Sequence, residues 1–183
     1  MHFRKFSLPA LAFVLLFSLT EAQESPSAVC FYTGAPAKPG LTIDYEGVTY
    51  AFSSEEKKAR FAQERTASLY QQIGGAAALK AAVDLFYVKV LADDRVNHFF
   101  EDTHMASQNR KQMAFLAAAL GAPVPWKGRD MRTAHANLDI REPDFNAIAE
   151  NLQNTLTELK IDEKLIAQIM TIVAGTKDDV LNR

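Results

Sequence analysis

Apolar positions recur at helical spacing through most of this chain. Leu79, Ala82, Val83, Phe86, Tyr87 and Val90 form one stripe. Met105, Gln108, Gln112, Phe115, Leu116 and Ala119 form a second. Phe145, Ile148, Ala149, Leu152, Leu156 and Leu159 form a third, and Leu165, Ile169, Ile172 and Val173 a fourth. Spacing of three and four residues puts each set on one helix face, so four helices are predicted. Gly74-Gly75 breaks the chain before the first, and Pro143 suits the opening turn of the third. Gly121 to Pro125, with Gly128 after it, predicts a non-helical stretch. A short helical segment follows over 130–137, carrying His135.

Residues 28 to 65 follow a different pattern. Leu41-Thr-Ile-Asp-Tyr and Val48-Thr-Tyr-Ala-Phe are short β-rich runs joined at Glu46-Gly47, a hairpin signal. Ser53-Ser54 before Glu55-Glu56 predicts a capped helix running to about Arg65. A ββα unit this small buries little core of its own. It is expected to lean on the following helices or on a partner.

At the start, His2, Arg4 and Lys5 precede an apolar run from Phe6 to Leu19. Thr20-Glu21-Ala22 places small residues where a signal peptidase reads them. An export signal over residues 1–22 is expected, cleaved after Ala22, with the periplasm as destination. The rival is an uncleaved anchor, but the run is shorter than the ~20 apolar residues of a spanning helix. No later stretch is apolar and long enough to span a membrane.

Hydrophobic residues make up 48% and charged residues 23%, a balance that belongs to a globular chain. The net charge of −2 gives no basic excess for nucleic acid. Cys30 is the single cysteine, so no internal disulfide forms and no CxxCH haem attachment exists. Any haem is expected to bind without a covalent link.

The second stripe carries Gln108 and Gln112 four residues apart, on an otherwise apolar face. Either this face is partly wet, or it lines a pocket whose ligand needs hydrogen-bond donors. Tyr87 on the first stripe would add a hydroxyl to such a pocket. Among the four histidines, His2 falls in the signal segment, and His98 and His104 sit at helix ends. Pattern alone leaves His135 readable as a structural histidine.

Residues 69–183 resemble group I truncated haemoglobins. Ser68-Leu-Tyr-Gln-Gln-Ile-Gly-Gly, Asp84-Leu-Phe-Tyr-Val-Lys-Val-Leu-Ala-Asp-Asp and His98-Phe-Phe carry the likeness. So do Lys111-Gln-Met-Ala-Phe-Leu-Ala-Ala-Ala-Leu-Gly, Trp126-Lys-Gly-Arg-Asp-Met-Arg and His135. Ala122 departs from it, standing where the family often has a second glycine.

The resemblance implies a mainly α, two-over-two globin fold over residues 66–183 and a non-covalent haem b. It implies His135 as the proximal iron ligand, Tyr87 as the distal tyrosine, and Gln108 and Gln112 as the distal amides. Phe100 would wedge against the porphyrin with Phe99 beside it. Phe86, Phe115, Leu116, Met131 and Phe145 would line the cavity. Arg129 or Lys111 would meet a haem propionate. Some algal relatives use a lysine at the position of Lys111 as a sixth iron ligand. The ligands implied are oxygen, nitric oxide or another diatomic gas. Nitric oxide dioxygenation, with an unidentified electron donor, is the enzymatic expectation.

The amino-terminal unit resembles a YHS domain through Cys30-Phe-Tyr-Thr-Gly-Ala-Pro, Tyr45-Glu-Gly-Val-Thr-Tyr and Phe52-Ser-Ser-Glu-Glu. Many such domains have two further cysteines where this chain has Ser53 and Lys57. A rival function therefore comes from that unit, metal trafficking or sensing through Cys30. One thiolate does not make a metal site by itself.

Overall fold

The computed structural model describes residues 28–181. The expected export signal lies outside the described residues. No helix among the described residues is long and apolar enough to cross a membrane.

The amino-terminal pattern folds as a hairpin followed by a helix. Strands β1 (Thr42–Tyr45) and β2 (Val48–Ala51) pair antiparallel, with Thr42 opposite Ala51 and Tyr45 opposite Val48. Helix α1 (Glu55–Ala67) starts at Ser54, whose hydroxyl accepts from the Lys57 N–H at 3.3 Å. Glu55 and Glu56 face the positive end of the helix dipole. The helix ends two residues beyond the expected Arg65. Phe61 is fully buried under Phe31, Tyr45, Tyr50 and Phe52, with ring centroids 4.8 to 6.2 Å away. Burying such a side chain stabilises the fold by about 1.5–3 kcal/mol. Cys30 is buried at the edge of the same cluster.

The rest of the described chain is helical. Helix α2 (Leu69–Gln72) leads through Gly74 into α3 (Gly75–Leu91). A 3-10 turn (Asn97–Phe100) precedes α4 (Met105–Ala119). An irregular segment then reaches the five-residue α5 (Met131–His135). Helices α6 (Glu142–Glu158), α7 (Glu163–Ala174) and α8 (Lys177–Val180) follow. The four predicted stripes fall on α3, α4, α6 and α7.

Helix α3 is the axis of the core. Leu79, Ala82, Val83, Phe86, Tyr87 and Val90 are all buried, and the helix packs against both α4 and α6. Asp93, just past its end, accepts from Arg95 and from Asn151 Nδ2, the latter at 2.6 Å. The Arg95 guanidinium and the Asn151 amide hold this carboxyl well below the usual carboxylate range. This polar knot fixes the corner leading to Phe99 and Phe100.

The hairpin does lean on the helices, through one side chain. Helix α3 begins at Gly74, which has no capping side chain. Glu46, at the hairpin turn, supplies the missing acceptor: the Ala76 N–H donates to Oε1 at 3.1 Å. The Tyr70 hydroxyl donates to Oε2 at 2.7 Å. Burial and this carboxylate together push the Tyr70 phenol well above its ordinary range. Gly75 sits at φ 67°, in the left-handed region that favours glycine. Glu46 itself sits at φ 49°, a conformation costly for a residue with a side chain. Nearby, Arg65 Nη1 donates to the Gly121 carbonyl at 2.5 Å, tying the end of α1 to the loop after α4.

Glu46→Ala removes both hydrogen bonds and the charge at the helix start. It is expected to lower stability by about 1–2 kcal/mol, the usual worth of an N-cap with a second hydrogen bond. Urea denaturation of wild type and variant checks this. Equal midpoints would show that the hairpin is not a cap for α3.

Candidate haem site

Two sides of a site are built by very different elements. The distal side rests on long helices. Phe86 and Tyr87 are buried on α3, and Tyr87 is only 5% exposed. Gln108, one turn into α4, donates its Nε2–H to the Tyr87 hydroxyl oxygen at 3.1 Å. With its oxygen occupied as acceptor, the phenol's own O–H is left to donate elsewhere. Burial pushes the Tyr87 phenol above its ordinary value, while the Gln108 hydrogen bond pulls it down; burial wins. The phenol therefore keeps its proton at neutral pH. Gln112 lies one turn further along the same face and is half-buried.

Aromatic rings close this side. Phe86 meets Tyr87 edge-on at 5.1 Å, and Phe100 meets it edge-on at 5.8 Å. Phe99 turns the other way and stacks against His98 at 4.1 Å. Phe115 on α4 is edge-on to Trp126 at 5.6 Å. A second tie between α3 and α4 is Asn109, whose Nδ2 donates to Asp84 at 3.0 Å.

His135, the expected proximal ligand, lies on a short helix held by its ends. Asp130 caps α5, accepting from the Thr133 N–H at 2.7 Å and its hydroxyl at 2.9 Å. Arg132 pairs with Asp179 at 2.7 Å, and α5 packs on α8. His135 Nδ1 lies 2.7 Å from the Met131 carbonyl oxygen. A carbonyl can only accept, so Nδ1 carries the proton and Nε2 carries the lone pair. That is the tautomer in which an imidazole ligates a metal, with its other nitrogen held by a backbone oxygen.

The expected residues thus fall into groups. Tyr87, Gln108, Phe86 and Phe100 are joined by contacts. Leu116 and Met131 are half-buried, and Phe145 is buried on α6. Lys111 and Arg129 are exposed. A cleft of about 480 Å³ opens between the 3-10 turn and the segment before α6. It is lined by His98, Phe99, Leu138, Asp139, Arg141 and Asp144, so it is not where Tyr87 and Gln108 point.

The residues present fit a haem group. No residue of α4 is buried, although Phe115, Leu116 and Ala117 to Ala119 are apolar; α3 by contrast buries most of its stripe. Apolar area on α4, Phe99, Phe100 and Met131 is only half covered by protein, as a flat apolar ring would require. The chain also supplies donors of the right chemistry: an imidazole on α5 with Nδ1 at a backbone oxygen, and on α3 and α4 a protonated phenol and two amides.

Sequence reasoning missed Glu46, the Asn109–Asp84 tie and the packing of Trp126. It placed His104 at a helix end but not as the cap of α4, where its Nδ1 accepts from the Ser107 N–H at 3.2 Å. The alternation of polar and apolar residues carries no signal for such contacts.

The helical order and packing, with α3 against both α4 and α6, define a protein of the globin class. The bacterial-like globin family matches residues 68–182, and the chain belongs to it. Along this stretch it is 49% identical to a group 1 truncated haemoglobin of Chlamydomonas moewusii, covering 63% of this chain and 68% of that one. It is 41% identical to the Tetrahymena thermophila protein, covering 63% and 96%. The crystal structure of Tetrahymena pyriformis truncated haemoglobin in the Fe(III) form superposes with a TM-score of 0.61 at 42% identity, covering 63% and 99%. A Synechococcus 2/2 haemoglobin, in the cyanomet state with covalently attached haem, gives 0.62 at 48% identity, covering 64% and 100%.

The helical part is therefore a truncated globin fold, its cofactor is haem b, and globins of this kind bind diatomic gases such as oxygen. Metal handling through Cys30 finds no support. Among the described residues no three His, Cys, Asp or Glu side chains converge. Cys30 has hydrogen bonds from Ser53 and Thr33 that pull its thiol down while burial pushes it up.

Proposed function

We propose that this chain is an exported haem protein that holds iron through His135 and retains oxygen on the Tyr87 side, with nitric oxide dioxygenation as its turnover reaction. The observation that carries the reading is the Gln108–Tyr87 hydrogen bond inside the Phe86–Phe100 wall. It fixes a phenol as a proton-keeping donor in a dry place.

Haem iron supplies an open coordination position at which a diatomic gas binds and gains electron density. The chain's own residues do the rest. His135 presents Nε2 because Met131 holds Nδ1–H. Tyr87 aims its hydroxyl proton outward because Gln108 occupies its oxygen. Gln112 offers a further amide N–H one turn along. Phe86, Phe100, Phe115, Leu116, Met131 and Phe145 exclude water, which strengthens every one of these hydrogen bonds. Lys111 and Arg129 lie exposed at the rim, where cations meet the haem carboxylates. Exposure favours that role for Lys111 over ligation of iron, which needs a neutral amine drawn far below its usual pKa of ~10.4.

Slow release with a restored iron suits consumption of nitric oxide by retained oxygen, and it suits storage less. An electron donor outside this chain must return the iron to its ferrous state. The amino-terminal unit, read as a YHS-like domain over 28–65 before the globin domain at 66–183, serves as a docked brace. The leading apolar segment directs the chain to the periplasm.

The absorption spectrum of the purified protein tests haem binding directly. His135→Ala is expected to lose tight haem binding and the strong Soret band, while His98→Ala keeps both. Loss in His98→Ala with an unchanged His135→Ala would reverse the assignment.

Tyr87→Phe is expected to speed oxygen release by roughly tenfold to a hundredfold, since a hydrogen bond to a charged acceptor is worth about 1.5–3 kcal/mol. Because burial raises Tyr87's pKa above its ordinary value, the phenol stays protonated and wild-type release should stay constant across neutral and mildly alkaline pH. Stopped-flow rates check both, and equal rates in wild type and variant would show that the phenol points away from the gas.

A further inference from the structure

We propose that Trp126 is a positioning residue that sets the separation of the distal helix α4 from the proximal helix α5, and that Gly128 exists to admit its ring. This rests on the haem reading above.

Trp126 lies in the irregular segment between the two helices and touches what leads to both. Its ring stands edge-on to Phe115 on α4, 5.6 Å between centroids and 80° between planes. Phe115 shares its face with Gln108 and Gln112, seven and three residues earlier on the helix. Its Nε1–H donates to the Arg129 carbonyl at 2.9 Å. The next residue is Asp130, the cap of α5, whose carboxylate holds Thr133. One indole therefore links the distal face to the residue that starts the His135 helix.

Gly128 shows how tightly this is drawn. A Cβ there would lie 2.0 Å from Trp126 Cζ2 and 2.4 Å from Cη2. No flexible tip could move aside, because both atoms belong to the rigid ring. Gly128 does not adopt the left-handed conformation that favours glycine. Its glycine is required for space and not for backbone freedom. The chain is pressed flat against the indole, and this turns the Arg129 carbonyl toward Nε1.

Helix α5 is too short to position itself. Five residues make about one turn of hydrogen bonds, and isolated helices of that length do not persist in water. Its place is set by what holds its ends: α8 on one side and the Trp126–Arg129–Asp130 run on the other. A shift in that run moves the His135 imidazole relative to α4. The effect is on geometry at the proximal ligand and reaches the distal donors only through that geometry.

Three variants separate this role from a merely stabilising one. Gly128→Ala displaces the ring. Trp126→Phe keeps an aromatic contact with Phe115 and removes the N–H. Trp126→Ala removes both. Because Trp126 is the single tryptophan, its fluorescence in haem-free protein reports the site directly. Gly128→Ala is expected to shift that emission to the red as the indole leaves its packed place.

In the haem-loaded protein, transfer of haem to excess apomyoglobin should be about tenfold faster in Trp126→Phe, the factor for one lost hydrogen bond. The ferrous iron–histidine stretching frequency, read by resonance Raman, should move in Trp126→Phe and Gly128→Ala alike. A purely structural contact would lower the denaturation midpoint and leave that frequency unchanged. Wild-type frequency and wild-type haem loss in both conservative variants would overturn the inference alone. A wild-type chain that takes up no haem would overturn the proposed function, and this inference with it.

Discussion

Helix α3 takes its first acceptor from outside itself. Gly74 offers no side chain, and the Ala76 N–H at this exposed helix start finds its partner in the hairpin's Glu46. Glu46 answers this by spending an unfavourable backbone conformation at the hairpin turn. The same carboxylate takes the Tyr70 proton, so one residue closes a gap between two pieces of chain that are distant in sequence. Everything that follows depends on α3 being fixed. It carries Phe86 and Tyr87, it packs on α4 and α6, and it presents Asp84 to Asn109. The hairpin is thus part of the support of the distal wall, although it contributes no side chain to the site.

The two walls of the site are held by opposite means. The distal wall is rigid because it sits in the core: Tyr87 is buried and bonded across to α4. The proximal wall is a single turn bearing exposed or half-exposed side chains, fixed by a cap, an ion pair and one carbonyl. Arg132 and Asp179 are both largely exposed, and such a pair is worth little in water. Hydrogen bonds from Asp130, Trp126 and the Met131 carbonyl must therefore do most of the orienting.

The fold was largely legible because burial on helix faces leaves a period in the sequence. The stripes on α3 and α6 correspond to buried or half-buried faces, as does that on α7 apart from the exposed Ile172, and Pro143 sits in the first turn of α6 as its ring geometry demands. The hairpin was legible from Glu46-Gly47 between β-rich runs. The site was legible only in part. Gln108 and Gln112 stood out as amides on an apolar face, and the wet-face and pocket readings stayed open until the Tyr87 contact was seen. His135 rose above a structural histidine through family likeness, and its tautomer follows only from the Met131 carbonyl. Glu46 read as a turn residue; Trp126 and Gly128 carried part of the family likeness and a break in the helical pattern, but no contact. Glu46 reaches a backbone N–H 30 residues on, Trp126 meets the Phe115 ring and the Arg129 carbonyl, and Gly128 lies against the indole; no hydrophobic period encodes such contacts.

The half-covered face of α4 ties cofactor to stability. Phe115, Leu116 and the alanines after them would expose apolar area if protein alone had to cover them, and α4 gains no buried residue from its packing on α3. Haem binds the folded arrangement and not an unfolded chain, so occupancy adds stability that grows with the logarithm of free haem over its dissociation constant. The gain falls mainly on α4, α5 and the segment between them, because α3, α6 and α7 already have their buried faces satisfied. Helix α3 and its Glu46 cap form a scaffold that stands without the cofactor. The elements that grip the cofactor are the ones whose order it completes.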